Sequence, residues 1–307
     1  MRLLKKIEKL IKTPILQYIK YKKLKKYNYI VKFLYEGEIE IKVPSLSIGE
    51  VLLSYGINIK RNLYMMDRPY IEILLRNIIY ELYKDGYINK NFSIIDIGSW
   101  IGDNGLVWAQ NLTGDGKVFC IEPSRNNLAY SKKCAQINNI NNIVWHERVC
   151  SENVGEKLTI DGKTENSSDN HKYKFENSKN SLSSTTLDEI ISEKKNTKIG
   201  LIHIDVEGFE LKVMKGAKKI IECDKPVLTF EQHISKEDTN HVFKYLKNFG
   251  YRIFMINEVI PGNELDCRNF LALHSSKELP NFSNFEENNL KNLNIHQATI
   301  GPGLIEF

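Results

Sequence analysis

From residue 92 onward, short apolar runs alternate with stretches whose apolar residues recur at helical spacing. That alternation is the pattern of a parallel sheet wrapped by helices. The runs are Phe92–Ile97, Lys117–Ile121, Ile143–Val149, Ile199–Ile204, Pro226–Phe230, Arg252–Ile256 and Asn269–Leu273. Helices are expected over 104–112, 124–138, 208–222 and 236–249. Together they predict a seven-stranded, doubly wound, Rossmann-like α/β sheet. Residues 161–184 are rich in Asn, Ser, Lys and Asp and hold few large apolar side chains. They read as a mobile surface loop, placed to act as a lid.

The first 89 residues follow a different rhythm. Leu3, Leu4, Ile7, Leu10, Ile11, Ile15, Tyr18 and Ile19 fall on one helical face, with lysines on the other and Pro14 as a kink or restart. Two strand-like runs follow, Tyr29–Tyr35 and Ile39–Val43, joined as a hairpin through Glu36-Gly37-Glu38. An apolar stripe from Pro69 to Lys84 predicts a helix stopped at Asp85-Gly86. The expected organisation is an extension over 1–89, the α/β domain over 90–274 and a polar tail over 275–307 of unassigned role.

With 307 residues, 42% hydrophobic and 26% charged, the chain can bury a core, and a wholly disordered or collagen-like protein is excluded. No window reaches the roughly 18 to 20 apolar residues of a spanning helix. Eleven Lys and Arg residues against one acid, Glu8, give the first 34 residues a charge of +10 in a chain whose total is +5. The rest is mildly acidic, which disfavours nucleic acid as a partner. The basic amphipathic segment 1–26 suits either peripheral contact with an anionic membrane or packing on its own domain. Five scattered cysteines without a CxxC pair, and no signal-peptide pattern, point to a reducing, cytoplasmic setting.

Chemistry is expected where the strands end, because open α/β sheets bind ligands at those carboxyl ends. The first run closes as Asp96-Ile97-Gly98-Ser99-Trp100-Ile101-Gly102-Asp103-Asn104, a glycine turn behind an acidic strand tip. The second closes at Glu122-Pro123, where one carboxylate suits two vicinal ribose hydroxyls. Together these favour a nucleoside-containing ligand. The spacing Gly98-x-x-x-Gly102 departs from the dinucleotide fingerprint.

The segment Leu201-Ile202-His203-Ile204-Asp205-Val206-Glu207-Gly208-Phe209-Glu210, running on to Gly216-Ala217, closely resembles the hallmark of the FkbM family of S-adenosylmethionine-dependent methyltransferases. The resemblance spans roughly residues 90–235. Asp96, Gly98, Ser99 and Gly102 resemble the family's cofactor loop, and Glu122-Pro123 its ribose-binding strand end. Thr186-Leu187-Asp188 and Thr229-Phe230-Glu231-Gln232-His233 are similar to two further family segments. The resemblance implies a class I methyltransferase fold, usually acting on oxygen, with sugars, glycans and natural products among its acceptors. The family more often carries Lys where this chain has His203.

Methyl transfer to a hydroxyl needs a group that takes the hydroxyl proton. His203, Asp205 and Glu207 would share a face if the strand persisted, and Glu231 and His233 are likewise two apart. One histidine or one desolvated carboxylate is enough. A divalent cation on Asp205, Glu231 and His233 is the other mechanism. Glu207 and Glu210 can instead cap the following helix, and His203 can be an interior hydrogen-bonding residue. Glu147 is a candidate for reading adenine; Asn104 and Trp100 are candidates for lining the methionine or acceptor pocket, or for the core. The expected activity is O-methylation of a sugar hydroxyl in a glycan or glycolipid. A small-metabolite acceptor and a non-catalytic binding module are the alternatives; oligomeric state is unassigned.

Overall fold

A computed structural model describes residues 32–34, 38–45, 49–56, 72–111, 113–161, 172–175, 182–194, 196–233, 237–258, 267–285 and 303–307. The basic segment 1–26 lies outside the described residues. The first strands, β1 (Lys32–Leu34), β2 (Glu38–Ser45) and β3 (Gly49–Gly56), form an antiparallel sheet in that order. The expected hairpin is its first pair. The third strand was unexpected, since its consecutive Val51, Leu52 and Leu53 do not alternate.

The main sheet carries, in chain order, β4 (Ser93–Ile97), β5 (Val118–Ile121) and β6 (Ile143–His146). Further along the chain it adds β11 (Ile199–Ile204), β12 (Val227–His233), β13 (Tyr251–Ile256), β14 (Cys267–His274) and β15 (Leu304–Glu306). Their spatial order is β15-β13-β14-β12-β11-β4-β5-β6. Strands β12, β11, β4, β5 and β6 run parallel, and β14 is antiparallel to both β12 and β13. All seven expected runs give strands of this sheet, though the run Ile143–Val149 ends here at His146 and its Val149 joins a separate small sheet. The eighth, β15, comes from the tail and pairs antiparallel with β13.

Helices α1 (Ile73–Lys84), α2 (Asp103–Asn111) and α3 (Arg125–Ile137) cover one face; α4 (Leu187–Ser192), α5 (Glu210–Lys215), α6 (Lys218–Asp224) and α7 (Glu237–Asn248) cover the other. Leu74, Leu75, Ile78, Ile79 and Leu82 of α1 are buried against Ile94, Val118 and Leu201. Each such side chain contributes roughly 1.5–3 kcal/mol. On the opposite face Val213, Met214, Ile220, Val242 and Leu246 pack on Ile95, Phe119, Ile202 and Ile204. Strands covered on both sides read as continuous apolar runs, which is why the sheet was visible in the sequence.

Two expectations change. Segment 161–184 is not one loop. A small sheet in the order β7-β10-β8-β9 is built from β7 (Val149–Cys150), β8 (Lys157–Asp161), β9 (Lys172–Phe175) and β10 (Leu182–Thr185). Strands of two to five residues are stabilised by their pairing partners, which a local pattern cannot show. The predicted helix 208–222 is two helices, parted at Gly216-Ala217. Thr186 caps α4 by accepting from Glu189 N at 3.1 Å, and Asp188 caps α6 by accepting from Lys219 N at 2.9 Å and Ile220 N at 3.1 Å. The Thr-Leu-Asp motif is thus a double helix cap. Among the described residues, no helix is long and apolar enough to cross a membrane.

Candidate active site

The glycine turn after β4 is built against its neighbours. Gly98 has φ 72°, and a Cβ there would be driven into the carbonyl oxygen of Asp205. Asp205 N in turn donates to Ile97 O at 3.0 Å. The ends of β4 and β11 therefore touch backbone to backbone, which only glycine allows at this φ. A Cβ on Gly102 would meet the Ser131 hydroxyl. Both glycines are required by packing within the protein. Ser99 is buried, and its carbonyl accepts from Gly102 N at 2.6 Å.

Asp96 is 1% exposed under the start of α2, where the Gly105 backbone N–H donates to it. Burial, then the charges of Asp103 and Glu72, hold its carboxyl well above the usual range. Among the described residues its Oδ2 has no hydrogen-bond partner. A buried, orphaned acceptor at a strand tip is the kind of group that a ligand's N–H donors satisfy. Glu122 is organised differently. It accepts from Trp100 N at 3.1 Å, Ser124 N at 2.9 Å and Asn127 Nδ2 at 3.2 Å. A carboxylate offers about four acceptor positions, so about one is left for a ligand hydroxyl. Burial pushes Glu122 up to about 7.

At the next strand tips Asp205, Glu207 and Glu231 converge, each offering a carboxylate oxygen within 4.8 Å of the others. Strand β11 ends at Ile204, so the alternation expected to carry Glu207 does not reach it. A turn brings it there instead, with φ 53° at Glu207 and 100° at Gly208. Glu210 secures that turn: Oε1 accepts from Gly208 N at 3.0 Å and Oε2 from Gln232 Nε2 at 2.7 Å. The turn and β12 are thereby tied together. Burial, then the charges of Glu231 and Glu207, hold Asp205 well above its usual range, and burial pushes Glu231 up to about 8.

The family model of the methyltransferase FkbM domain matches residues 96–253, slightly more than half of the chain and all of the elements just described except those at its edges.

The chain belongs to the FkbM methyltransferase family.

Solved structures similar to this FkbM-family chain include a methyltransferase FkbM from Methylobacillus flagellatus, 20% identical, with a TM-score of 0.45. The match covers 62% of this chain and 47% of that one, so this chain spans about half of that relative's length. An rRNA methylase from Streptococcus thermophilus is 11% identical, covering 65% and 95% of the two chains at a TM-score of 0.41. A Streptococcus mutans protein in complex with SAH is 10% identical, covering 64% and 96% at 0.40. No curated protein matches the chain.

In this FkbM-family site the structure brings Asp205, Glu207 and Glu231 together, Glu207 standing where the sequence reading had put His233 in a cation set. His233 is half-buried at the end of β12, and its backbone carbonyl accepts from Thr239 Oγ1 at 2.5 Å. His203 is interior: its Nδ1 lies 2.9 Å from Thr229 Oγ1, and its ring meets Trp108 edge-on at 5.5 Å. Glu147 is at the surface, paired with Arg125 at 3.2 Å. Asn104 accepts from Arg76 Nε at 2.9 Å and donates to Glu72 Oε2 at 3.1 Å. Trp100, at φ 45°, packs partly buried against the core.

Sequence reasoning missed Glu72, Arg76, Asn269 and Glu258. All four are buried around the site's α1 side, with Asn269 Nδ2 donating to Glu72 Oε1 at 3.1 Å and Glu258 Oε2 accepting from Leu74 N at 3.1 Å. One signal was available. Arg76-Asn77 interrupts an otherwise apolar helix, and a charge there has to be paired if it is buried.

Proposed function

We propose that the protein is an S-adenosylmethionine-dependent O-methyltransferase acting on a sugar hydroxyl of a glycan or glycolipid. The observation that carries this reading is the convergence of Asp205, Glu207 and Glu231 at strand tips in backbone contact with the Asp96–Gly102 turn. The residues suited to the methyl donor are Asp96, whose orphaned Oδ2 can accept from its amine, and Glu122, whose remaining acceptor position suits a ribose hydroxyl. When bound, the donor supplies a methyl group on a positively charged sulfur. The chain's own task is to place a hydroxyl beside it and take the proton.

Glu231 suits that task in its ionised form: burial raises its carboxyl to about 8, so the carboxylate is a stronger base than an ordinary one and is populated as pH approaches that value. The cluster of acids also favours the acceptor class. Carboxylates accept hydrogen bonds from hydroxyls, so a polyhydroxyl sugar is attracted while phosphate-rich nucleic acid is repelled. A membrane-linked acceptor is supported by the basic segment 1–26, which suits the anionic face of a bilayer.

The test combines calorimetry with turnover. Wild-type protein is titrated with S-adenosylmethionine and S-adenosylhomocysteine, then assayed for methyl transfer to sugar and small-metabolite hydroxyls. Glu231→Gln is expected to keep the fold and lower transfer by roughly 10²-fold or more, in the range of general-base loss, and Asp205→Asn beside it is expected to lower transfer as well. Unchanged transfer in either variant would remove that residue from the chemistry, and no binding of either nucleoside would favour a non-catalytic module.

A further inference from the structure

The three acids of the site sit in a setting that a simple proton acceptor does not require. Asp205 and Glu207 come from the β11–α5 turn and Glu231 from β12, yet one carboxylate oxygen from each falls within 4.8 Å of the other two. Three carboxylates held this close repel one another. The Glu210 bridge nonetheless fixes the turn to the strand, with bonds of 3.0 Å to Gly208 N and 2.7 Å from Gln232 Nε2. A fixed first set of oxygens oriented by a second set of hydrogen bonds is how proteins build cation sites.

A fourth oxygen gives an independent sign. Asn269 stands directly opposite Glu231 in the ladder between β12 and β14, so its side chain leaves the same sheet face beside that acid. It is 2% exposed. Its nitrogen donates to Glu72 Oε1 at 3.1 Å, which turns the other end of the amide, Oδ1, away from Glu72. That oxygen has no hydrogen-bond partner among the described residues. A buried amide oxygen left unsatisfied is costly unless something that accepts electron density completes it.

We infer that Asp205, Glu207 and Glu231 hold a hard divalent cation, Mg²⁺ or Mn²⁺, with the amide oxygen of Asn269 beside them. An all-oxygen set suits these ions over softer metals. The inference deepens the methyl-transfer reading and takes its purpose from it: a cation here supplies a Lewis acid that lowers the pKa of an acceptor hydroxyl. Glu210 and Gln232 are positioning residues, acting through the turn.

The probe is Mn²⁺ alone, titrated into the full chain without donor or acceptor and followed by calorimetry and electron paramagnetic resonance. One saturable site is expected. Asp205→Asn and Glu231→Gln should weaken it at least 100-fold, and Asn269→Leu roughly tenfold. If either acid variant fails to fold by circular dichroism, Glu207→Gln at an exposed position serves in its place. Absence of saturable binding to wild type, or undiminished binding to the folded variants, overturns the inference. Titrating the same samples with S-adenosylhomocysteine separates the two readings. Nucleoside binding without Mn²⁺ binding removes the cation only; Mn²⁺ binding without nucleoside binding leaves the cation site and removes the methyltransferase reading.

Discussion

Buried acids are the recurring residue-level feature of this protein, and they make its stability pH-dependent in a definite direction. Glu258, after β13, is 2% exposed and accepts from the first amides of α1 at 3.1 and 3.4 Å. Burial pushes its carboxyl up to about 7. The folded state therefore holds a proton that the unfolded chain, near 4.5, has already released. The stabilisation is complete below about pH 4.5 and is lost as pH rises through about 7. Glu122, also pushed to about 7 by burial, acts in the same sense. Denaturant titrations at about pH 5 and about pH 8 should show lower stability at the higher pH, and Glu258→Gln should shrink that difference by on the order of 2 kcal/mol. An unchanged difference would show that Glu258 titrates normally. The glutamates' burial was not legible in the sequence, because Glu258 follows a strand and nothing nearby says that a helix 184 residues earlier in the chain will end on it.

At the scale of elements, the decisive contact is between the ends of β4 and β11. The sequence marks Gly98 as part of a glycine turn; the structure uses it to seat one strand end on another, with Gly98 against the Asp205 carbonyl and Asp205 N on Ile97 O. Gly98→Ala meets both a positive φ of 72° and backbone atoms that cannot move aside. A loss of at least about 2 kcal/mol is expected, read as a lower Tm, together with weaker binding of both nucleoside and Mn²⁺. An unaltered Tm would mean that the turn relaxes freely. The motif itself was fully visible in the sequence. Its physical role was not, since the partner lies more than 100 residues further along the chain.

For the whole molecule, charge is unevenly divided along the chain, with a strongly basic N-terminal segment ahead of a mildly acidic remainder. If residues 1–26 meet a membrane, full-length protein should sediment with vesicles containing anionic lipid and remain free of neutral ones. Replacing Lys5, Lys6, Lys9 and Lys12 with Gln should weaken binding by about 1 kcal/mol per lysine. Equal binding to neutral vesicles would remove the electrostatic argument. The tail contributes to the body as well. β15 extends the sheet, Arg252 Nε and Nη2 donate to Glu306 at 2.8 and 2.9 Å, and Phe307 meets Phe243 and Phe270 at 5.6 and 5.8 Å.

The sequence by itself determined the parallel core, because strands buried on both faces must be apolar throughout and the helices between them must be apolar on one side. It also determined the family, through motifs whose residues are consecutive: Asp96 to Gly102, Thr186 to Asp188 and Asp205 to Glu210. Tertiary structure alone decided which acids meet. Glu207 arrives by a left-handed turn, His233 stays outside the group, His203 turns to Thr229, and Glu72, Asn269 and Glu258 come in from remote elements. Period and spacing describe a residue's own element. Convergence at the site depends on how separate elements are seated on one another, and on hydrogen bonds that no local pattern contains.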